Sequence, residues 1–215
     1  ITALGTNILV MGLVTVLATW LLGRTLFTDD PVVPLGAAAL TGLNAQYLFV
    51  TSSVNNDALV TMLCALCLWL MARYVARPPS LRGWAVLGAL IGMAALTKAS
   101  ALGIVALAGA VAVYVAVAER SGRRFWEAAL GMAVPALLVC GWWFLRNWRL
   151  YRDPLGLNAF VAVAGARHPV PTLGQLLAEW PGFVKSYWGL FGALNVPLPD
   201  WAYVALSVMG GIGLV

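Results

Sequence analysis

The chain has 215 residues, 62% hydrophobic and only 10% charged, with a mean hydropathy of +0.89. Soluble domains run near half apolar and a quarter charged, so that class is excluded, as are disorder and, with 3 cysteines, a disulfide scaffold. The net charge of +5 reads as membrane topology and anionic lipid headgroups. It does not read as nucleic-acid binding, because no Lys/Arg run with interleaved aromatics lies outside the apolar runs.

A spanning helix takes roughly 20 mostly apolar residues, and charged residues divide this chain into runs of about that size. The first, 3–22, stops at Arg24. Asp29, Asp30, Pro31 and Pro34 form a short loop before the second, 35–51, which ends in Ser52-Ser53-Val54-Asn55-Asn56-Asp57. The third, 58–72, ends at Arg73 and Arg77 ahead of Pro78-Pro79. The fourth, 83–97, is short and stops at Lys98; the fifth, 99–118, ends at Glu119 and Arg120. The sixth, 128–145, ends at Arg146, a mixed segment runs to Asp200, and a seventh opens at Trp201.

In lipid every backbone polar group must be satisfied internally, so these runs are read as helices; the alternation of a membrane barrel is missing. The expected fold is all-α, a polytopic transmembrane helix bundle of about seven spans. Helices one to six fall within 1–145, an external loop with amphipathic interfacial helices covers 146–200, and a seventh helix starts at 201–215. Gly88 and Gly92 sit at a spacing that favours close helix packing within the bundle. Opening at Ile1 without a charged leader, and ending in an apolar run, the chain is read as an internal piece of a longer membrane protein.

Alternation of the runs sorts the cations. One side collects Arg24, Arg73, Arg77, Arg82, Arg120, Arg123 and Arg124; the other collects Lys98, Arg146, Arg149, Arg152, Arg167 and Lys185. The positive-inside rule puts the first group in the cytoplasm. Seven against six is a thin margin, which leaves the second group either a topology error or there for a purpose.

Three features on that second side could carry chemistry. Asp57, in Ser-Ser-Val-Asn-Asn-Asp, either caps the next helix or offers a carboxylate to a metal, a sugar hydroxyl or an acceptor. Lys98, in Leu-Thr-Lys-Ala-Ser, either turns a tight hairpin or sits at membrane depth, where an ionisable side chain points to function. Its point charge suits phosphate. Arg146, Arg149 and Arg152 lie three apart among Trp142, Trp143, Trp148 and Tyr151, and are read either as phosphate ligands or as snorkelling arginines with an Arg149–Asp153 pair. In the loop, Thr172 and Gln175 form a capping box, with helices expected over 172–180 and 183–191, Pro181-Gly182 interrupting. Cys64 and Cys67 lie inside a span and are read as packing, and the lone His168 carries no argument.

Taken together, Ser-x-x-x-Asn-Asp opening a span, Leu-Thr-Lys-Ala between two short spans, Trp-Phe-x-Arg-Asn-x-x-x-Tyr-x-Asp-Pro-Leu-Gly and Ser-Tyr-Trp-Gly-x-Phe-Gly-x-x-Asn resemble GT-C glycosyltransferases. The likeness is to the protein-mannosyltransferase and aminoarabinose-transferase-like branch and covers most of the chain. It implies transfer of a sugar from a polyprenyl-phosphate donor on the outer face of a bacterial inner membrane. In that reading Asp57 matches the family's second acidic position, beside Asn56, and Lys98 matches the residue that meets donor phosphate. Arg146 and Arg149 border the lipid pocket. The main catalytic acid falls in a loop preceding Ile1, and a divalent metal and partner membrane subunits fit the same picture. The competing expectation is a noncatalytic subunit or transporter half sharing only the helix pattern.

Overall fold

The computed structural model describes residues 2–53 and 55–212. Every apolar run is helical. α1 (Thr2–Leu26) is followed by the pair α2 (Val32–Gly42) and α3 (Ala45–Ser52), then α4 (Asp57–Ala76), α5 (Leu81–Thr97), a 3-10 turn at Ala99–Leu102, α6 (Gly103–Ala118) and α7 (Gly122–Tyr151). Three short helices, α8 (Leu157–Ala164), α9 (Leu173–Ala178) and α10 (Trp180–Trp188), lead through a hairpin of β1 (Leu190–Phe191) and β2 (Val196–Pro197) into α11 (Asp200–Ile212).

The protein is an all-α polytopic bundle, but seven full-length spans are not what the described residues form. Four helices are long and apolar enough to cross a membrane, or five if α2 and α3, bent by 54°, make one span. α5 has 17 residues and α11 has 13. The second run is broken because the Asn44 side chain accepts a hydrogen bond from the Tyr47 amide and restarts the helix as a cap.

The core lies among α4, α5, α6 and α7, where Cys67, Met71, Trp84, Leu87, Ile91, Val111, Val115 and Met132 are buried together. α5 and α7 run in the same direction, with α6 as the crossover. Their backbones touch: an added Cβ on Gly88 would sit 2.1 Å from the Met132 carbonyl oxygen, and one on Gly92 would sit 2.8 Å from that of Ala136. The paired glycines thus serve packing inside the bundle. α4 and α5 run antiparallel, closed at one end by the Tyr74 hydroxyl donating to the Gly83 carbonyl and its ring meeting Trp84 edge-on.

The segment after α7 departs from expectation. The capping box of Thr172 and Gln175 is present. Pro181, however, does not interrupt a helix; it occupies the first turn of α10, where a missing amide costs nothing, so α10 starts at Trp180 and ends at Trp188, before Leu190 enters β1. The hairpin straps onto the broken second span. Asn44 donates to the Tyr187 carbonyl at 3.3 Å, the Leu190 amide donates to Gln46 at 2.9 Å, and Phe49 meets Phe191 edge-on. Tyr203 fastens the other side, donating to the Gly189 carbonyl and accepting from the Leu198 amide.

Asn44 therefore holds both the cap of α3 and the strap. Asn44→Ala is expected to destabilise by about 1–2 kcal/mol, the range of a lost cap. It should also raise the rate of limited proteolysis between α9 and α11 in the folded protein. Unchanged cleavage would mean the strap is held elsewhere.

Candidate active site

The helix lengths bring the candidate residues together. The 20 residues of α4 leave Asp57 at its first position, the Pro78-Pro79 turn reverses the chain, and the 17 residues of α5 return it to Lys98. Those 17 residues rise about 26 Å, close to the ~30 Å hydrocarbon thickness. Lys98 lies at the end of that rise. It is a single extended residue, φ −155° and ψ 131°, between the end of α5 and the 3-10 turn, so the chain does reverse there.

There the Lys98 ammonium pairs with the Asp57 carboxylate Oδ1. The two side chains remain 41% and 40% exposed, so an incoming ligand can reach both. Their floor is an apolar cluster of Val60, Leu63, Ala94 and Ala101, which fixes where each backbone emerges.

Asp57 does not cap its own helix. Asn55 does: its Oδ1 accepts from the amides of Asp57 at 2.9 Å and Ala58 at 3.3 Å, while its Nδ2 donates to the Val50 carbonyl. The carboxylate of Asp57 is thereby left to Lys98. Asn56, expected to touch substrate, donates its side-chain amide to the Thr97 carbonyl at 3.2 Å, one of the orphan acceptors at the end of α5. Asn56 thus ties the residue before Lys98 to the residue before Asp57. Sequence reasoning missed Asn55, because in Asn-Asn-Asp any of the three can cap.

Arg146 and Arg149 lie in the last turns of α7. α7 continues through both to Tyr151, and Arg152 follows as a left-handed cap at φ 55°. Among the described residues no hydrogen bond or ion pair joins either arginine to Asp57 or Lys98. The expected Arg149–Asp153 pair is not formed either. Asp153 instead accepts from the amides of Asn158 at 2.8 Å and Leu155 at 3.0 Å. Those amides, Asn158 first, hold its carboxyl below the usual carboxylate range.

Among the described residues no three His, Cys, Asp or Glu side chains come together, and the Asp57 carboxylate is engaged by an ammonium. An apolar groove of about 500 Å³ opens between α5, α6 and α7, lined by Ile91, Ala95, Leu102, Val105, Met132 and Phe144 among others. Ala95 and Leu102 flank Lys98 in the chain.

The dolichyl-phosphate-mannose-protein mannosyltransferase family matches residues 3–144. The chain belongs to this family. It is therefore a membrane glycosyltransferase of the GT-C type, an integral multi-pass protein of a family that uses polyprenyl-phosphate-linked sugar donors. The matched stretch takes in Asp57 and Lys98 and stops short of Arg146. No curated protein and no solved structure matches the chain.

Proposed function

We propose that this chain transfers a sugar from a polyprenyl-phosphate donor to an acceptor hydroxyl at the outer face of a bacterial inner membrane, with Lys98 receiving the donor phosphate. The observation that carries this is the half-exposed Asp57–Lys98 pair, on a stretch of chain whose Ala95 and Leu102 line an apolar groove. The groove accepts an isoprenoid tail, and the ammonium faces phosphate oxygens as a compact point charge.

In the transfer, the bond from the sugar's anomeric carbon to the phosphate oxygen breaks and its electron pair stays on the phosphate. A new bond forms from the anomeric carbon to the acceptor oxygen, whose proton is lost to a carboxylate. Lys98 stabilises the charge developing on the leaving phosphate. Phosphate on Lys98 releases Asp57, whose carboxylate then accepts the hydrogen bond of the acceptor hydroxyl. Asn56 keeps the two strands of the site in register through the Thr97 carbonyl.

This competition gives a test. In full-length protein assayed with labelled polyprenyl-phosphate sugar, Asp57→Asn is expected to lower KM for the donor several-fold, because Lys98 no longer has a rival anion. It is also expected to lower kcat by about 10- to 10²-fold, which is what losing a hydrogen bond to a charged group amounts to. A variant with unchanged kcat would remove Asp57 from the chemistry. A parent protein that transfers no sugar with the bundle intact would favour a noncatalytic membrane subunit.

A further inference from the structure

The two ends of α7 treat their arginines differently. At the start, Arg123 pairs with Glu127, and Arg124 pairs with Glu119 and Glu127. At the other end, Arg146, Arg149 and Arg152 have no carboxylate oxygen within 4 Å among the described residues, while Lys98, Arg167 and Lys185 on that side pair with Asp57, Glu179 and Asp200. Asp153, the acid nearest in sequence, is turned into the amides that open α8. Three exposed guanidinium groups are therefore left concentrated on one turn and its cap.

Their depth is set by the helix. Between Glu127 and Arg146 no side chain of α7 is charged, and the 18 residues 128–145 rise about 27 Å, close to the ~30 Å hydrocarbon core. Arg146 therefore emerges where hydrocarbon gives way to phosphate. Trp142, Trp143, Trp148 and Tyr151 are exposed around it, as aromatic side chains are at that boundary. Arg146 is also held in place. Its guanidinium lies 5.0 Å over the Trp143 ring and donates to Asn147 Oδ1 at 3.4 Å. Asn147 is buried and anchored to the Pro154 carbonyl. A guanidinium stacked by its face keeps N–H edges free for phosphate oxygens.

We propose that the Arg146–Arg149–Arg152 turn is a docking surface for the phosphodiester headgroups of anionic phospholipids. It does not depend on which membrane face α7 ends at, nor on the role of Lys98.

The test uses full-length protein in bilayer nanodiscs with spin-labelled phosphatidylglycerol or phosphatidylcholine as probes. The parent is expected to prefer phosphatidylglycerol. R146Q/R149Q should reduce that preference roughly five-fold for each arginine removed, and R123Q/R124Q should leave it in place. In the parent, raising salt should erase the preference without changing phosphatidylcholine binding, a measurement that needs no variant to fold. Equal binding of the two lipids by the parent, a salt-insensitive preference, or the same loss in both double variants would overturn the proposal. So would inorganic phosphate competing as well as the lipid, since the site would then need no bilayer.

Discussion

Lys98→Ala in the full-length protein is expected to lower kcat for sugar transfer by about 10²- to 10³-fold, the loss seen when one preorganised stabiliser of developing charge is removed. Folding should be nearly untouched. The Asp57–Lys98 pair is about two-fifths exposed on both sides, and such pairs are worth at most about 1 kcal/mol. Expression and melting temperature should therefore stay close to the parent while transfer is lost. Lys98→Arg should recover only part of the rate. It restores the charge, but a planar fork is not the compact point charge that the ammonium offers to phosphate. The two substitutions at the pair separate its roles, because Lys98→Ala should raise the donor KM and Asp57→Asn should lower it. Near-normal turnover by Lys98→Ala would remove Lys98 from the chemistry.

The meeting of Asp57 and Lys98 was readable from helix arithmetic, since two runs of similar length joined by a two-proline turn must return the chain to the level where it started. The capping box at Thr172 was readable for a local reason, as both partners lie within four residues. The break in the second span was not. Asn44 lies in an apolar run, and its cap on Tyr47 is joined by distant contacts from Tyr187 and Leu190 that the sequence does not show. The end of α7 was not legible from the apolar run, because a charge marks the edge of the hydrocarbon and not the end of a helix. Arg, Asn and Trp continue a helix readily, so α7 passes Arg146 and ends at Tyr151. Arg146 and Arg149 were grouped with Lys98 by side, by charge and by the resemblance. Sidedness locates a residue along the membrane normal and says nothing of its place around the bundle, which is set by packing such as that of α5 on α7.

That packing makes Gly88→Ala the substitution expected to damage the fold most. The new methyl would lie 2.1 Å from the Met132 carbonyl oxygen and 2.7 Å from the Met132 carbonyl carbon and Cα. All three are backbone atoms of a continuous helix, so no rotamer change relieves the overlap. α5 must move off α7, which opens gaps around Leu87, Ile91 and Met132. The cost is expected at about 3 kcal/mol, the upper range for overpacking, and the loss in melting temperature on the order of 10 °C. Gly109→Ala supplies the contrast. It also sits within a helix, but nothing lies within 4 Å of its added Cβ, so the gain in helix propensity, about 0.5–1 kcal/mol, should leave the protein as stable or more so. α5 also carries Lys98 at its end, so displacing it should disturb the Asp57 pair and lower transfer even in the fraction that stays folded. Thermal unfolding of both variants in the same detergent, with transfer measured per folded molecule, checks each half. If Gly88→Ala melts with the parent, the two helices do not approach as closely as described.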